Sequence, residues 1–272
     1  MKINGVRAIH SITMCRLVAY SGPPLLLKRL VLDPEHSLMK QSWAPREMRE
    51  SALNADGFGF GWYTRDGEPA VYSSIFPIWN DRNLEGLGRA LNAGVWLANV
   101  RSIMPGQEPG PINPQPFADG RVLFQHNGYI AGFRSRQREL FDKYLRRDIR
   151  DGIRGNADSD YLFAVFRQCL EDSGRDPKAA LLRMIEVLPK PLDGTAALFN
   201  VIVCDGEVLL ACRQAFNGAE CPTLYYCRDH PGFPGAVVIA SERFDESRAW
   251  CAVDPHTLIA VRNGATVERM SI

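Results

Sequence analysis

The chain has 272 residues, of which 46% are hydrophobic and 23% charged, and its formal net charge is +1. This composition is that of a globular protein with enough apolar material for a substantial core. Because the net charge is near zero and no block of like charges occurs, neither nucleic acid nor a membrane is expected as a partner, and we expect a small-molecule substrate. No stretch is long enough for a membrane span and the first residues lack the apolar centre of a signal peptide, which predicts a cytoplasmic protein.

The number and spacing of the cysteines indicate whether the chain forms disulfides or binds a metal. The seven cysteines are an odd number and include no CxxC pair and no His/Cys metal spacing. We therefore expect no disulfide framework, no zinc site and no cofactor, with most cysteines buried as small hydrophobes.

The first half of the chain favours strands. In chain order the patterns predict strands at residues 17–20, 57–63, 70–75, 95–100 and 121–125, and a short helix at 25–31. We expect the first strand to end at Ser21-Gly22-Pro23-Pro24, and Asp66-Gly67 to close a β-hairpin. The Pro/Gly-rich stretch 104–116 is long enough to suggest a functional loop.

The second half contains helices and then strands. Helical spacing of apolar residues covers 161–170 and 179–187, and strands are predicted at 197–204, 208–213, 223–227, 237–241 and 258–261. This order predicts one continuous α+β domain with sheets between helical layers.

Three positions could carry chemistry. His126-Asn127-Gly128 follows an apolar strand and offers a side-chain amide and an unhindered backbone N–H, the parts of an oxyanion hole, although Asn-Gly is also the commonest tight turn. Arg101 closes another predicted strand and could hold a carboxylate as a fork, or form a surface salt bridge. Asp158-Ser159-Asp160 precedes a predicted helix, where the motif could cap the helix N-terminus or supply a carboxylate that binds an ammonium group.

Cys15 follows Met14 directly. If Met14 were the initiator and were removed, Cys15 would carry a free α-amine. Such an amine has a pKa of about 8, beside a thiol of about 8.5, so that one residue could supply both nucleophile and general base.

Together these motifs resemble the class II glutamine amidotransferases of the Ntn-hydrolase superfamily, and most closely the stand-alone proteins of ergothioneine biosynthesis. The resemblance is carried by MCRLVAY (14–20), QSWAPR (41–46), NADGFGFGW (54–62), VRS (100–102), HNG (126–128) and DSD (158–160). It implies a four-layer αββα sandwich that hydrolyses a γ-glutamyl amide through a thioester, on a γ-glutamyl-cysteinyl conjugate. It also implies site roles: Cys15 as nucleophile, Asn127 and Gly128 as oxyanion hole, Arg101 for the substrate α-carboxylate and Asp158 for its α-ammonium. Residues 54–61 would line the pocket.

Two departures from the family pattern affect these expectations. Asp160 stands where the family has Glu, so the contact of that position is in doubt. Residues 1–14 precede the amidotransferase domain at 15–272, and while they remain attached the α-amine of Cys15 is an amide. A misplaced start, a propeptide or an inactive relative would each explain this extension.

Other interpretations of function stay open. One is a glutaminase subunit that supplies ammonia to a separate synthase partner, and another is a non-catalytic γ-glutamyl-binding module. A homo-oligomer is also open. Arg16, Trp43, Trp79 and the loop at 104–116 are candidates for contacts with the leaving group, with core packing as the alternative for either tryptophan.

Overall fold

The computed structural model describes residues 15–47, 53–102, 114–262, 264 and 266–272. Two antiparallel sheets lie face to face, and helices cover the outer face of each. The strands are β1 (Arg16–Leu26), β2 (Phe58–Tyr63), β3 (Pro69–Ser74), β4 (Asn92–Val100), β5 (Phe117–Asp119), β6 (Val122–Ile130), β7 (Ala197–Cys204), β8 (Val208–Phe216), β9 (Tyr225–His230), β10 (Phe233–Ala240), β11 (Trp250–Ala252), β12 (Thr257–Arg262) and β13 (Thr266–Ser271). This architecture confirms the predicted αββα sandwich.

The helices are short apart from two. They are α1 (Leu27–Val31), α2 (Leu38–Gln41), α3 (Leu84–Ala90), α4 (Arg138–Tyr144), α5 (Arg147–Asp151), α6 (Asp158–Asp172), α7 (Pro177–Val187) and α8 (Pro189–Leu192), with a 3-10 turn at Ile78–Asn80 and a π-helical turn at Phe133–Gln137. The two long helices, α6 and α7, confirm the helices that the apolar spacing predicts. Asp176 caps α7, because its carboxylate accepts from the backbone N–H groups of Lys178 and Ala179.

Strand order places β1 and β6 inside their sheets. The first sheet has the order β11-β9-β10-β1-β4-β2-β3, and the second has the order β13-β12-β8-β7-β6-β5. Leu17, Leu97 and Ile202 belong to the apolar layer between the two sheets. Val18 and Trp96 point the other way, to the layer under α1 and α3, as the alternation of side chains along a strand requires.

β1 is longer than predicted. The prediction that it ends at Ser21-Gly22-Pro23-Pro24 is wrong, since the strand continues to Leu26. Its pairing with β4 shifts register between Ser21 and Leu25, and the prolines fall within this irregularity. A bulge removes the need for ladder N–H groups that proline does not have.

The His126-Asn127-Gly128 motif is not a turn. It lies within β6, where Asn127 pairs with Asn200 and Gly128 with Phe199 of β7. Asn-Gly locally favours a turn, but here the pairing of β6 with β7 overrides that preference.

The Gly-aromatic alternation of β2 has a steric cause. The predicted hairpin with β3 is confirmed, and Phe58 and Phe60 pack under the outer helices. The glycines between them face the second sheet, where a Cβ on Gly59 would overlap the Gln115 carbonyl oxygen and a Cβ on Gly61 would lie 2.8 Å from Pro116 Cγ. These glycines allow the segment before β5 to approach the first sheet closely.

Replacing Gly59 with alanine should therefore destabilise the fold. We expect Gly59→Ala to lower the free energy of unfolding by about 1–3 kcal/mol, the usual cost of overpacking. Chemical denaturation measures this. Gly86→Ala is the control, because no atom lies within 4 Å of its Cβ position in α3, and there alanine should stabilise by about 0.5–1 kcal/mol. Unchanged stability of Gly59→Ala would contradict the close approach.

Candidate active site

Cys15 stands at the start of the central strand of the first sheet. The residue after it, Arg16, pairs with Val100 at the end of β4. The Cys15 side chain is half-buried, and its sulfur lies 4.0 Å from the carbonyl oxygen of Ser102. The start of β1 and the segment after β4 therefore enclose this thiol from neighbouring strands.

Charges from distant parts of the chain act on the Cys15 sulfur. Burial raises the pKa of the Cys15 thiol, and the contact with the Ser102 backbone and the positive charges of Arg101 and Arg16 work against that rise. The negative charge of Asp158 adds to it. Since the net shift is upward, the thiol is protonated at neutral pH and needs a base to react as thiolate.

Arg101 has a fixed backbone. Its N–H donates to the Gly57 carbonyl oxygen at 2.8 Å, and its own carbonyl oxygen accepts from the Asp56 N–H at 3.0 Å. These bonds continue the pairing of β4 with the segment before β2, so part of the stretch 54–61 adjoins Arg101. The half-buried guanidinium is thus carried on an ordered strand extension.

Asp158 links α6 to the end of β6. Its Oδ2 accepts from the Ile130 backbone N–H at 2.9 Å, and its Oδ1 accepts from the Ser159 N–H at 2.8 Å. The N-cap position of α6 is Ala157, whose N–H donates to Asp160 Oδ2 at 3.0 Å. The cap interpretation of the Asp158-Ser159-Asp160 motif is therefore confirmed through Asp160, whose carboxylate bonds the N-cap backbone, while Asp158 bonds Ile130 and Ser159.

Asn127 points toward the first sheet. The neighbouring inward residue Gln125 donates from Nε2 to the Val18 carbonyl oxygen at 3.2 Å, which ties β6 to β1. Asn127 is fully buried, yet neither atom of its side-chain amide has a hydrogen-bond partner within the described part of the chain. A buried amide without a partner costs stability and calls for a specific explanation, of which a catalytic role is one. At Gly128 a side chain would overlap the Leu198 carbonyl oxygen, which explains the glycine.

His126 and Gln115 support this part of β6. His126 Nδ1 lies 2.9 Å from Ser159 Oγ, and its Nε2 lies 3.2 Å from the Leu198 carbonyl oxygen. The Gln115 amide bonds the backbone N–H and carbonyl of His126. The sequence pattern does not single out Gln115, since nothing in its spacing separates it from other loop residues.

The residues predicted as candidates for leaving-group contacts lie in different environments. Arg16 is fully buried on the face of β1 opposite Cys15, a placement that does not favour contact with the leaving group. Trp43 and Trp79 pack edge to face with centroids 5.7 Å apart, and Trp43 keeps 36% of its surface exposed. Most of the predicted loop, residues 104–113, lies outside the described residues.

A cavity of about 680 Å³ lies elsewhere, beside β5 and α6. It includes Asp160 but none of the five residues predicted for the site. The candidate site is therefore defined by the charged groups that act on the Cys15 sulfur, and not by this cavity. Along the described residues we find no helix of the length and apolarity that a membrane crossing requires.

Comparison with known proteins finds relatives that align with this chain over most of their length. The chain is 31% identical over 254 residues to a γ-glutamyl-hercynylcysteine sulfoxide hydrolase of Mycolicibacterium smegmatis, covering 93% of this chain and 98% of that protein. A protein of the same description from Mycobacterium tuberculosis is 37% identical over 257 residues, covering 93% and 96%. The probable glutamine amidotransferase DUG3 of Saccharomyces cerevisiae is 33% identical over 294 residues, covering 92% and 82%. No family model matches the chain.

Solved structures share the fold. A glutamine aminotransferase class-II domain protein from Silicibacter pomeroyi superimposes with a TM-score of 0.68 at 24% identity, covering 95% of this chain and all of that one. The glutamine phosphoribosylpyrophosphate amidotransferase of B. subtilis gives 0.61 at 14% identity, covering 94% and 49%. These likenesses show a shared fold of two facing antiparallel sheets with helices on their outer faces. The chain belongs to the class II glutamine amidotransferase family and is an enzyme of its hydrolase kind, as the motifs predict.

His126 provides a test of this geometry. Burial lowers its pKa from the ordinary value near 6.5, against an opposing effect of Asp158. In NMR spectra we expect its imidazole to stay neutral down to a lower pH than a free imidazole does. Because the unfolded chain takes up this proton first, the stabilisation from neutral His126 should be lost as pH falls below about 6.5. Protonation of His126 at pH 6.5 in the folded state would contradict the buried placement.

Proposed function

We propose that Cys15 is the nucleophile of a γ-glutamyl amide hydrolase. The observation that carries this proposal is the position of the Cys15 thiol at the start of the central strand, against the end of β4 that carries Arg101, with the opposite charges of Arg101 and Asp158 both acting on the sulfur. A positive and a negative group beside one thiol match the α-carboxylate and α-ammonium of a glutamyl group. Such a clamp would hold the substrate with its γ-carbonyl carbon against the sulfur, and positioning of this kind supplies much of the rate.

The first step forms a thioester. The sulfur of Cys15 attacks the γ-carbonyl carbon while the α-amine of Cys15, directly or through water, takes the thiol proton. Negative charge that develops on the carbonyl oxygen is stabilised by the Asn127 amide and the Gly128 N–H. The carbon–nitrogen bond then breaks, and the proton passes to the leaving amine. The partnerless amide of buried Asn127 supports this role.

The second step regenerates the enzyme. The same α-amine takes a proton from water as the water oxygen attacks the thioester carbon. The carbon–sulfur bond breaks, the proton returns to sulfur, and glutamate leaves. These steps draw only on the residues of the site and on water.

The proposed substrate is a γ-glutamyl-cysteinyl conjugate. Support comes from relatives described as γ-glutamyl-hercynylcysteine sulfoxide hydrolases, which align over nearly the whole chain. A glutaminase activity that delivers ammonia to a synthase partner is the second candidate, because another relative is described as a probable glutamine amidotransferase.

We further propose that the active form begins at Cys15, with the amidotransferase domain at 15–272. The proposed base exists only when the peptide bond before Cys15 has been cut. Protein beginning at Cys15 should react with an electrophilic glutamine analogue to give one adduct, mapped to Cys15 by mass spectrometry. The full chain should react weakly, since its Cys15 nitrogen is an amide.

Cys15→Ala is the control for this labelling and should give no adduct. Labelling at another residue would refute the nucleophile. An unlabelled Cys15 in both forms, with glutamate still bound, would favour a non-catalytic γ-glutamyl-binding module.

Asn127→Ala should depress turnover far more than binding. Loss of one oxyanion donor usually lowers kcat on the order of a hundredfold or more. Glutamate release from γ-glutamylcysteine and from glutamine measures kcat and KM, and we expect the conjugate to be the better substrate. Asn83→Ala, at an exposed asparagine before α3, is the matched control. Equal losses in kcat and in affinity would count against the oxyanion role.

A further inference from the structure

A buried ionic cluster lies on the side of β1 away from the Cys15 thiol. Its centre is Glu242, which follows β10 and is 1% exposed. His36 Nε2 donates to Glu242 Oε1 at 2.6 Å, and the backbone N–H of Arg46 donates to the same oxygen. The Gln41 side chain donates to the His36 carbonyl oxygen at 2.9 Å and closes the cluster from α2.

Arg16 is the cationic member of this cluster. Its Nε lies 3.8 Å from Glu242 Oε2, and both side chains are essentially excluded from solvent. None of the three guanidinium nitrogens has a hydrogen-bond partner among the residues that the structure describes. A buried guanidinium normally fills its five donor positions, so this incomplete set is costly and calls for an explanation beyond packing.

The backbone joins this cluster to the nucleophile. The Leu17 N–H donates to Ser241 Oγ at 3.0 Å, and the Ser241 N–H donates to the Leu17 carbonyl oxygen at 3.0 Å. Ser241 thus bonds the backbone of Leu17, and Glu242 contacts the side chain of Arg16. Arg16 and Leu17 are the two residues that follow Cys15. Any movement of Glu242 would be passed to the start of β1.

We propose that Glu242 and Arg16 are positioning residues for Cys15, setting the start of β1 and placing one positive charge behind the thiolate. Glu242 acts through Arg16 and touches no substrate. The proposal rests on the role of Cys15 given above. It accounts for the stretches 41–46 and 241–242, to which the γ-glutamyl clamp assigns no part.

Electrostatics support this arrangement. The charge of Arg16 lowers the pKa of the Cys15 thiol against the effect of burial. Burial would raise the pKa of Glu242, but the His36 hydrogen bond, the Arg46 N–H and the Arg16 charge hold it below its ordinary value. The charged and titratable groups around Cys15 and Arg16 are Arg101 and Asp158 on the Cys15 side and His36, Glu47 and Glu242 on the Arg16 side.

The test measures alkylation of Cys15 by iodoacetamide in the full chain, from pH 6 to 10, with peptide mapping by mass spectrometry. Alkylation needs no turnover and no free α-amine, so it can succeed or fail independently of the proposed hydrolysis. Exposed Cys251 in the same sample is the internal reference. Thermal unfolding is followed in parallel.

Three variants separate positioning from stability. Glu242→Gln leaves the buried guanidinium without its carboxylate, and Arg16→Met leaves the buried carboxylate with only His36 and the Arg46 N–H, so each single variant should lower Tm. The double variant has no buried charge in the pair, and the new glutamine keeps an oxygen that can accept from His36, so its Tm should recover. Its Cys15 should still alkylate severalfold more slowly at neutral pH, with a midpoint at higher pH than in the wild type, because the guanidinium that favours the thiolate is gone.

Asp245→Asn is the matched control, since Asp245 makes a second carboxylate–histidine contact, to His230 at 3.0 Å. It should leave the Cys15 profile unchanged. If the double variant regains both Tm and the wild-type alkylation profile, the pair is purely structural and the proposal is overturned. A profile that stays shifted at recovered Tm supports it.

Discussion

The pairing of β1 on both edges is the constraint on which the candidate site depends. β1 bonds β4 along one edge and β10 along the other, so its first residues have little freedom. Cys15 sits where this ladder begins, and the ends of the two neighbouring strands deliver Arg101 and the Ser241-Glu242 pair to the same region. An antiparallel sheet brings distant stretches together at a strand end in this way, which is why residues far apart in sequence share one thiol.

Buried polar groups are concentrated at the end of the sandwich where β1 begins. The layer between the sheets is otherwise apolar, but Asn99, Gln125, Asn127 and Asn200 are buried, and each has at least one amide atom with no hydrogen-bond partner in the described ranges. Each such group costs about 1–3 kcal/mol. Burial of the three apolar layers must offset that cost. The buried amides without partners lie near one strand end, which fits the general observation that strain collects at functional sites.

Local patterns predict those elements whose side chains alternate cleanly. The β2–β3 hairpin and the helices α6 and α7 follow from periodicity and turn residues. Short edge strands such as β5 and β11 escape prediction, because three residues give no period. The Asn127-Gly128 pair lies in a strand only because β7 supplies its partner, and the burial of Arg16 depends on Glu242, far along the chain. Such tertiary effects leave no local signal.

The enclosed thiol sets the requirements for any chemistry at Cys15. Burial favours the neutral thiol, and the charges of Arg101 and Asp158 act on the thiolate in opposite directions. A glutamyl substrate would add its own carboxylate and ammonium, which neutralise both. Once the clamp is filled, Arg16 remains as the cation behind the sulfur, and the proton must go to a base within the site. A freed α-amine on Cys15 meets that need at the shortest distance, which is why the proposed chemistry and the proposed start of the active chain depend on each other.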